Sequence, residues 1–243
     1  MDENSRIPRV ISVLGQGSVE YIDHMGDDVR TVDAARVSFG KKSSWDHAED
    51  GDPSLKPEDG KLIKYLAKHN HWTPFAHPQI TLCVKAPIPI RTQLFKHKFG
   101  LVENETSRRY VTDIPEVYVP LWRHAPVKSV KQGSSGFIED EITIRDCDSI
   151  YASTVSTALR MYDYLVTEQG VAPEQARMIL PQGMYTQWYW TGSLSAYARV
   201  YKLRIADHAQ WEVSEYAKAI AIIMKALFPA SWKALIDPEN DTT

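Results

Sequence analysis

The stretch QITLCVKAPIPIRTQLFKHKFGLVENETSRRY, residues 79–110, combines several structural signals in a short length of chain. Its first eight residues alternate and are rich in β-branched side chains, which predicts a strand. The residues PIRTQLFKHKFG then predict a helix that begins near Pro89 and ends at Gly100. After it, SRRYVTDIPEVYVP (107–120) looks extended and is predicted to return to the sheet.

The remaining segments extend this mixture of strands and helices. Strands are predicted on either side of a turn at Gly15 and Gly17, and in MYTQWYWTG (184–192). Asp207 and Gln210 form a capping-box pattern before the helix HAQWEVSEYAKAIAIIMKALF. Further helices are predicted at 31–39, 57–69, 137–169, 173–180 and 193–204. The order lacks strict βαβ alternation, so we predict a single α/β (α+β) domain with a central, largely antiparallel sheet flanked by helices.

Length and composition limit the possible classes of protein. The 243 residues suit one domain over 1–243, with a mobile surface loop at 40–57 and a C-terminal tail at 229–243. The net charge of −3 provides no global field for nucleic acid. No apolar run approaches the roughly 18 residues of a membrane span, and the start of the chain does not resemble a signal peptide. Two cysteines without a partner motif suggest reduced thiols and a cytoplasmic protein.

Several familiar motifs are absent or incomplete. LGQGSVE (14–20) has Glu20 where a dinucleotide-binding loop needs its third glycine, so a hairpin turn is the better interpretation. The acidic run 46–52 does not match a calcium loop, and the histidines at 69, 71 and 77 lack further ligands at zinc spacing. No G-x-S-x-G occurs, and neither cysteine has an activating setting. We therefore expect no metal and no protein nucleophile.

Positive charge is concentrated locally despite the acidic total. Lys96, Lys98, Arg108 and Arg109 lie within fifteen residues, interleaved with hydrogen-bonding side chains. On the predicted helix, Lys96 shares a face with Gln93, three residues earlier. Cations bind phosphate, and amides or hydroxyls can bind the edge of a planar base. A nucleotide site and a solvated charged loop both fit this pattern.

A second cluster lies nearer the C-terminus. Arg177, Arg199, Arg204 and His208 occur among aromatic residues in an otherwise apolar pattern. Buried arginines need partners, because an unpaired buried charge is costly. An anionic, planar ligand would supply such a partner, and structural ion pairs are the alternative.

Together these segments resemble the flavin-dependent thymidylate synthases, the family often called ThyX. The family signature is Arg-His-Arg followed by seven residues and then Ser, and it typically continues as Asn-Glu-x-Ser-x-Arg-Tyr. In this chain Lys96-His97-Lys98 stands at the first part and Asn104 to Tyr110 at the second. Three departures occur: both arginines are lysines, eight residues instead of seven separate Lys98 from Ser107, and Ala76 replaces a common acidic residue. The blocks AARVSFG, HWTPFAH, VKAPIPIRTQLF, ARMILP and LRIADHAQWE follow in the family's order, so the resemblance covers about residues 10–228.

The resemblance implies a reaction and its participants. Family members are homotetramers with active sites between subunits, each holding FAD. They methylate dUMP at carbon-5 to give dTMP, with methylenetetrahydrofolate as the carbon donor and NADPH as the reductant of the flavin. No protein thiol attacks the pyrimidine. Neither a membrane nor a nucleic-acid partner is implied.

The resemblance also implies roles for particular residues. Arg204 corresponds to the arginine placed against the pyrimidine ring and is the expected catalytic residue, with His208 one helical turn further on, where it helps to orient flavin or folate. FAD contacts are expected from Thr73, Lys96, His97, Lys98, Glu105, Ser193, Leu194, Ser195, Arg199 and His208. Contacts to dUMP are expected from Gln93, Lys96, Glu105, Thr106, Ser107, Arg108, Arg109, Arg177 and Arg204.

Two other functions fit the same residues. The lysines and the extra loop residue are compatible with a related flavoenzyme that modifies another pyrimidine nucleotide or adds a different one-carbon group. The basic and aromatic surfaces are compatible with a non-catalytic binder of nucleotides or single-stranded nucleic acid, although the acidic net charge disfavours it.

Overall fold

A five-stranded antiparallel sheet forms the centre of the protein. The computed structural model describes residues 7–47, 52–126 and 133–237. The strands are β1 (Val10–Val13), β2 (Gly17–Met25), β3 (Gln79–Pro87), β4 (Leu101–Glu105) and β5 (Tyr185–Ser193), in the spatial order β1-β2-β3-β5-β4. Every neighbouring pair is antiparallel. The predicted single α/β domain with a largely antiparallel sheet is confirmed.

Alternation along the central strands decides which face of the sheet is buried. Leu82 and Val84 of β3 are fully buried and pair with Trp190 and Trp188 of β5, which are also buried. On the other face of β3, Thr81 and Lys85 are partly exposed, whereas Cys83 is buried. Branched and aromatic side chains in cross-strand pairs on one face stabilise the sheet and form the main core.

Eight α-helices accompany the sheet in the described residues. They are α1 (Asp28–Arg36), α2 (Pro57–Lys68), α3 (Ile88–Leu94), α4 (Glu141–Thr167), α5 (Pro173–Ala176), α6 (Leu194–Arg204), α7 (Trp211–Leu227) and α8 (Pro229–Ile236). Short 3₁₀ turns cover 37–39, 74–76 and 177–179. Helices α6 and α7 contribute to the main core, and α1, α2 and α8 enclose a smaller one around Phe75. No helix in this part of the chain is long and apolar enough to cross a membrane.

The hairpin between β1 and β2 confirms the prediction made for the first glycines. Val13 pairs directly with Gly17, so the chain turns back at once and does not enter a helix. A Cβ at Gly17 would overlap the Tyr216 hydroxyl and lie 2.5 Å from the Val13 carbonyl oxygen. The glycine is therefore required for close packing of the hairpin against α7.

The predicted helix 89–100 is shorter than expected. Helix α3 ends at Leu94, and Lys96 and His97 donate their amides to Gln93 and Leu94 in tight turns. Lys96 therefore lies beyond the helix, and only the 3₁₀-type turn that its amide makes to Gln93 relates these two residues. The physical reason is packing: Phe95 contacts Trp188 edge-on, with 5.3 Å between ring centroids, and Gly100 (φ +74°) redirects the chain into β4.

The strand predicted in 107–120 was also wrong. The strand that joins the sheet is β4, immediately before it, and beyond Glu105 the chain turns, with the Tyr110 and Val111 amides donating to the Ser107 carbonyl. Pro115 and Pro120 lack the N–H that a strand would donate. Only an isolated bridge from Val117 to Met184 links the described part of this segment to the end of β5.

Two further predictions need correction at the C-terminal side. Helix α7 begins after Gln210, which has no side-chain cap bond, so Asp207 does not form the predicted capping box. The predicted tail from residue 229 begins as α8, in which Trp232 is buried. Asp28 accepts hydrogen bonds from the Ala230 and Ser231 amides at 2.9 and 2.8 Å and so caps this helix. Residues 238–243 lie outside the described residues.

The loop at 40–57 is irregular, as predicted, but its described part is bound to the domain. The Ser43 amide donates to Asp33 at 2.6 Å, and its hydroxyl donates to the buried Asp59. The Trp45 indole N–H donates to Asp27 at 2.8 Å. Residues 48–51, in the acidic run, lie outside the described residues. These bonds hold the first half of the loop against α1 and α2.

Candidate functional site

The turn between α3 and β4 contacts the end of α6 through one pair of side chains. Arg204, at the last position of α6, donates Nε to Nε2 of His97 at 2.9 Å and one Nη to the Gln93 carbonyl at 2.8 Å. The Arg204 carbonyl in turn accepts from the Ser214 hydroxyl of α7 at 2.6 Å. Arg204 is thus bonded to residues 107 and 111 positions earlier in the sequence, His97 and Gln93.

The protonation of His97 follows from this contact. A guanidinium has only donors, so Nε2 of His97 accepts and the imidazole is neutral, with its proton on Nδ1. His97 is 7% exposed. Burial, followed by the charges of Arg204 and Arg199, lowers the pKa of His97 from 6.5 to about 4. Burial also lowers the pKa of Arg204 from its usual value, yet it remains a cation at neutral pH.

A cavity of about 630 Å³ opens beside this pair. Its volume lies within the range of small-molecule sites. Two arginines line it, Arg204 from α6 and Arg123 from the irregular segment before α4. The other lining side chains that enter the reasoning below are Gln93, His208 and Gln210. The cavity therefore combines positive charge with amide hydrogen-bonding groups.

The segments expected to hold FAD meet at one end of β4. Phe99 contacts Trp72 (5.7 Å between centroids) and lies under the Arg199 guanidinium (4.9 Å from its centroid). The Ser193 amide donates to the Gly100 carbonyl at 3.2 Å. Thr73, next to Trp72, is exposed. The structure thus brings together the 72–73, 97–100 and 193–199 segments, as the resemblance implies.

This end of β4 has features that suit a dinucleotide cofactor. The Ser193 hydroxyl accepts from the Ala196 amide at 3.3 Å and lies 3.1 Å from the Ser195 hydroxyl, at the start of the eleven-residue α6. A Cβ at Gly100 would lie 3.1 Å from Ala196 Cβ, so backbone and helix approach closely. Helix N-termini bind phosphate oxygens, and aromatic and guanidinium groups stack with planar rings. These residues fit FAD.

The remaining expected FAD residues have different surroundings. Leu194 is fully buried in the core and can contribute only its backbone. Lys98 pairs with Glu103, while Lys96 is exposed. His208 is exposed and lines the cavity beside Arg204. The lysines therefore face solvent or a neighbouring carboxylate in this chain, and His208 is the member nearest to the cavity.

Residues expected to hold dUMP lie in two groups. Gln93 and Arg204 line the cavity, whereas Glu105 ends β4 and residues 106–109 follow it. Glu105 accepts from Arg91 Nε at 2.9 Å and from the Thr186 hydroxyl at 2.7 Å. Arg91 lies on α3, two residues before Gln93, so this bond ties Glu105 to the helix that carries Gln93. None of the residues from Glu105 to Arg109 lines the cavity beside Arg204.

The far end of β4 is rich in cations. Arg109 donates to Glu174 at 3.2 Å, and Arg177 donates to the Glu174 carbonyl at 3.2 Å. The Ser107 hydroxyl accepts from the Arg109 amide at 3.3 Å, and Arg108 binds the Asp113 carbonyl. The Thr106 amide donates to Gln187 of β5 at 2.9 Å. Of the two exposed arginines, Arg109 contacts the Glu174 carboxylate and Arg177 contacts only its main-chain carbonyl. One positive charge is therefore left for an anion.

Sequence reasoning missed several side chains in contact with these groups. Arg91 pairs with Glu105, and Arg123, Gln210 and Glu212 form a bonded series beside the cavity. Glu212 could have indicated this series, because it is a carboxylate on the apolar face of an amphipathic helix. A buried charge at such a position needs a charged or hydrogen-bonding partner. The described residues contain no cluster of three or more His, Cys, Asp or Glu that could hold a metal ion.

Comparisons with known proteins agree with these observations. The family model described as Thymidylate synthase complementing protein matches residues 20–230. A flavin-dependent thymidylate synthase of Thermus thermophilus is 39% identical over 227 residues, covering 93% of this chain and 78% of that protein. The enzyme of the same name from Thermosipho africanus is 37% identical and covers 92% of both chains.

A solved structure shows the same fold. The crystal structure of PolB from Streptomyces cacaoi, a UMP/dUMP methylase bound with 5-Br dUMP, superimposes with a TM-score of 0.76 at 27% identity, covering 92% of this chain and 96% of that one. With a family model over most of the chain and relatives near 40% identity, the chain belongs to the thymidylate synthase complementing protein family, which includes the flavin-dependent thymidylate synthases.

Proposed function

We propose that this protein is a flavin-dependent thymidylate synthase. It converts dUMP to dTMP by reductive methylation, with methylenetetrahydrofolate as the carbon donor, FAD as the hydride carrier and NADPH as the reductant. The observation that carries the proposal is the Arg204 guanidinium, held by His97 and the Gln93 carbonyl at the edge of a cavity of nucleotide size. Through these two hydrogen bonds, Arg204 joins the segment just before and within the family signature to α6.

Arg204 is the residue to which we assign catalysis. Its two hydrogen bonds fix the guanidinium plane before substrate arrives, so little reorganisation is needed when charge develops. A permanent cation beside a uracil ring favours loss of the ring imide proton and stabilises negative charge on the carbonyl oxygens. His97, being neutral, orients Arg204 without adding a competing positive charge.

FAD would be held at the start of β4 and of α6. Ser193, Ser195 and the first amides of α6 would bind its diphosphate, and Arg199 with Phe99 would stack on a planar ring. By family position, the set is completed by Thr73, Lys96, His97, Lys98, Glu105, Leu194 and His208. When bound, FAD supplies the redox chemistry that the side chains cannot perform. The protein contributes binding, orientation and charge.

The phosphate of dUMP would bind at the cationic end of β4. Arg109 and Arg177 are exposed and share Glu174, and Ser107 and nearby amides add donors. None of these residues lines the cavity beside Arg204. A site completed by residues of two subunits would let one nucleotide contact both groups.

The surface of α4 supports a homotetramer. Tyr162 is the only buried residue of this 27-residue helix. Ile142, Ile150, Met161 and Tyr164 are 46–68% exposed. Large exposed apolar side chains on one long helix fit a subunit interface. Free Cys83 and Cys147 support a reducing, cytoplasmic location.

A second substrate is favoured by the structural neighbour. PolB is named for both UMP and dUMP, and the two nucleotides differ only by a ribose hydroxyl. The uracil edge that Gln93 and Arg204 would contact is the same in both. UMP therefore belongs in the same assay as the alternative substrate.

The test measures flavin binding and turnover in the purified full chain. We expect a yellow protein with an FAD absorption spectrum, and tritium release from [5-³H]dUMP that stops when folate or NADPH is omitted. UMP labelled at the same position is compared at equal concentration, and the product mass identifies the added carbon group. A colourless protein that does not bind added FAD would disprove the proposal.

A further inference from the structure

Two ion pairs on one face of β4 tie its carboxylates to the end of α3. Glu103 and Glu105 are two residues apart, so their side chains leave the strand on the same face. Arg91 of α3 donates Nε to Glu105 Oε1 at 2.9 Å, and Lys98 of the following turn pairs with Glu103. The Arg91 guanidinium and Lys98 Nζ each lie 5.1 Å from the centroid of the Phe95 ring. Phe95 therefore keeps both cations beside β4.

Strand β5 holds the Arg91–Glu105 pair from its other side. The Thr186 hydroxyl donates to the same Glu105 Oε1 at 2.7 Å. Two residues further along this strand, the buried Trp188 contacts Phe95 edge-on, with 5.3 Å between ring centroids. A closed ring of contacts, here called the carboxylate clamp, is thus formed by Thr186, Glu105, Arg91, Phe95 and Trp188. Because it begins and ends on one strand, the clamp holds the Glu105 carboxylate in one orientation.

The clamp leaves the second oxygen of Glu105 for a ligand. Both donors bind Oε1, and no residue in the described ranges donates to Oε2. The Glu105 side chain is 25% exposed, so a ligand can reach the carboxylate. A carboxylate only accepts hydrogen bonds, so Oε2 requires a donor on the ligand and would repel a phosphate oxygen. Glu105 therefore suits a hydroxyl or N–H group of a bound nucleotide.

The neighbours of Glu105 indicate which donor it would meet. Ser107 and Arg109, the proposed phosphate contacts, follow it by two and four residues. The proposed FAD groups at Gly100 and Ser193 lie at the opposite ends of β4 and β5 from the clamp. The sugar is the part of a nucleotide that is joined to the phosphate, and the deoxyribose of dUMP carries one free hydroxyl, at carbon-3′. This 3′-hydroxyl is the donor that fits Oε2.

We propose that Arg91 is a positioning residue that, by occupying Glu105 Oε1, directs Oε2 toward the 3′-hydroxyl of the bound nucleotide. The inference rests on the proposed function. Arg91 acts through Glu105 and makes no contact with the substrate itself. Two donors on one oxygen restrict rotation of the carboxylate before the nucleotide arrives. The Arg91 charge also offsets that of Glu105, which lowers the repulsion between this carboxylate and the nearby nucleotide phosphate.

The test compares equilibrium binding of dUMP and 2′,3′-dideoxyuridine 5′-monophosphate to the full chain, saturated with FAD, by titration calorimetry. For the wild type we expect dUMP to bind about tenfold more tightly or better, because a site that binds a hydroxyl rejects the analogue without it. Arg91→Met removes the guanidinium but keeps an apolar stem over Phe95. It should bring the two dissociation constants to within about threefold of each other.

Two more variants separate position from charge and from folding. Thr186→Val removes the other donor to Oε1 without changing the net charge, and it should lower the preference for dUMP in the same direction. It becomes the deciding variant if Arg91→Met does not fold. Glu103→Gln is the matched control, because it breaks the neighbouring ion pair on the same face of β4 and leaves the clamp intact. It should keep the wild-type preference.

A purely structural role for Arg91 gives a different result. If Arg91→Met weakens both nucleotides equally, the preference is unchanged and the inference is wrong. The affinity for FAD, measured in the same variant by flavin fluorescence, identifies the other ligand that carries sugar hydroxyls: weaker FAD binding with an unchanged nucleotide preference would assign Glu105 to the flavin and overturn the inference. A wild type that binds both nucleotides equally refutes this inference alone, whereas one that binds neither refutes the proposed function as well.

Discussion

Replacement of Arg204 by alanine removes the guanidinium that joins α6 to the signature turn. The wild-type side chain makes two hydrogen bonds, at 2.9 Å to His97 and 2.8 Å to the Gln93 carbonyl. Loss of one preorganised donor to a developing oxyanion costs about 10²- to 10³-fold in rate. Because Arg204 contributes a full charge, we expect kcat for dUMP to fall by about 10³-fold or more.

The cost in stability should be modest. Two lost hydrogen bonds at a partly buried site correspond to about 1–3 kcal/mol of unfolding free energy. For a chain of this length each kcal/mol lowers Tm by about 2–4 °C. The FAD spectrum should be largely retained, because the Ser193, Ser195 and Phe99 groups lie toward the other end of α6. Turnover, thermal unfolding and the visible spectrum therefore separate catalysis from folding.

His97 provides a direct structural readout of the same variant. The Arg204 charge contributes to lowering the pKa of His97 to about 4, after burial itself. Its removal should raise this pKa toward 6.5, measured by NMR titration of the imidazole. Arg204→Lys, which keeps the charge but cannot make both contacts, is the control for charge alone. Near-normal turnover by Arg204→Ala, or an unchanged His97 pKa, would refute this account.

Three further predictions concern other parts of the molecule. The pKa of His97 is about 4 in the folded chain and 6.5 when unfolded, so the unfolded chain binds more protons between these pH values. The free energy of unfolding should therefore fall as pH drops from 6.5 to 4, by at most about 3 kcal/mol. Urea unfolding of His97→Asn should lack this pH-dependent component. Asp28→Ala removes the cap of α8 and should cost about 1–3 kcal/mol in the same assay, whereas Asp28→Asn should cost less because one acceptor oxygen remains. Ile150→Asp, at a position 68% exposed on α4, should shift the light-scattering mass toward smaller oligomers without changing monomer helicity; an unchanged mass would exclude this face from the interface.

The predictions that came from local sequence patterns were largely confirmed. The alternation of QITLCVKA and the aromatic run of MYTQWYWTG correspond to β3 and β5, and the periodic segment after Pro57 corresponds to α2. These patterns report directly which face of an element is buried. Pro57 and Pro173 begin helices as expected, since proline is tolerated in the first turn.

The predictions that failed depended on distant contacts. Nothing local ends α3 at Leu94; the edge-on contact of Phe95 with Trp188 and the burial of His97 under Arg204 do so. The side chain of Gln210 could not act in a capping box because it binds Gln93 and Glu212. Tertiary contacts of this kind override local propensity.

The sequence by itself determined four of the five strands (β1, β2, β3 and β5), most helices, the antiparallel character of the sheet and the family, because each is written in the order of nearby residues. Only the tertiary structure decided that His97 is neutral, that Arg204 is fixed by residues more than 100 positions earlier, and that Glu212 is buried against Arg123. These properties depend on which donors and acceptors meet in space after burial. In the opening stretch, the lysines remain exposed or paired with a carboxylate, and the buried histidine between them makes the contact with Arg204.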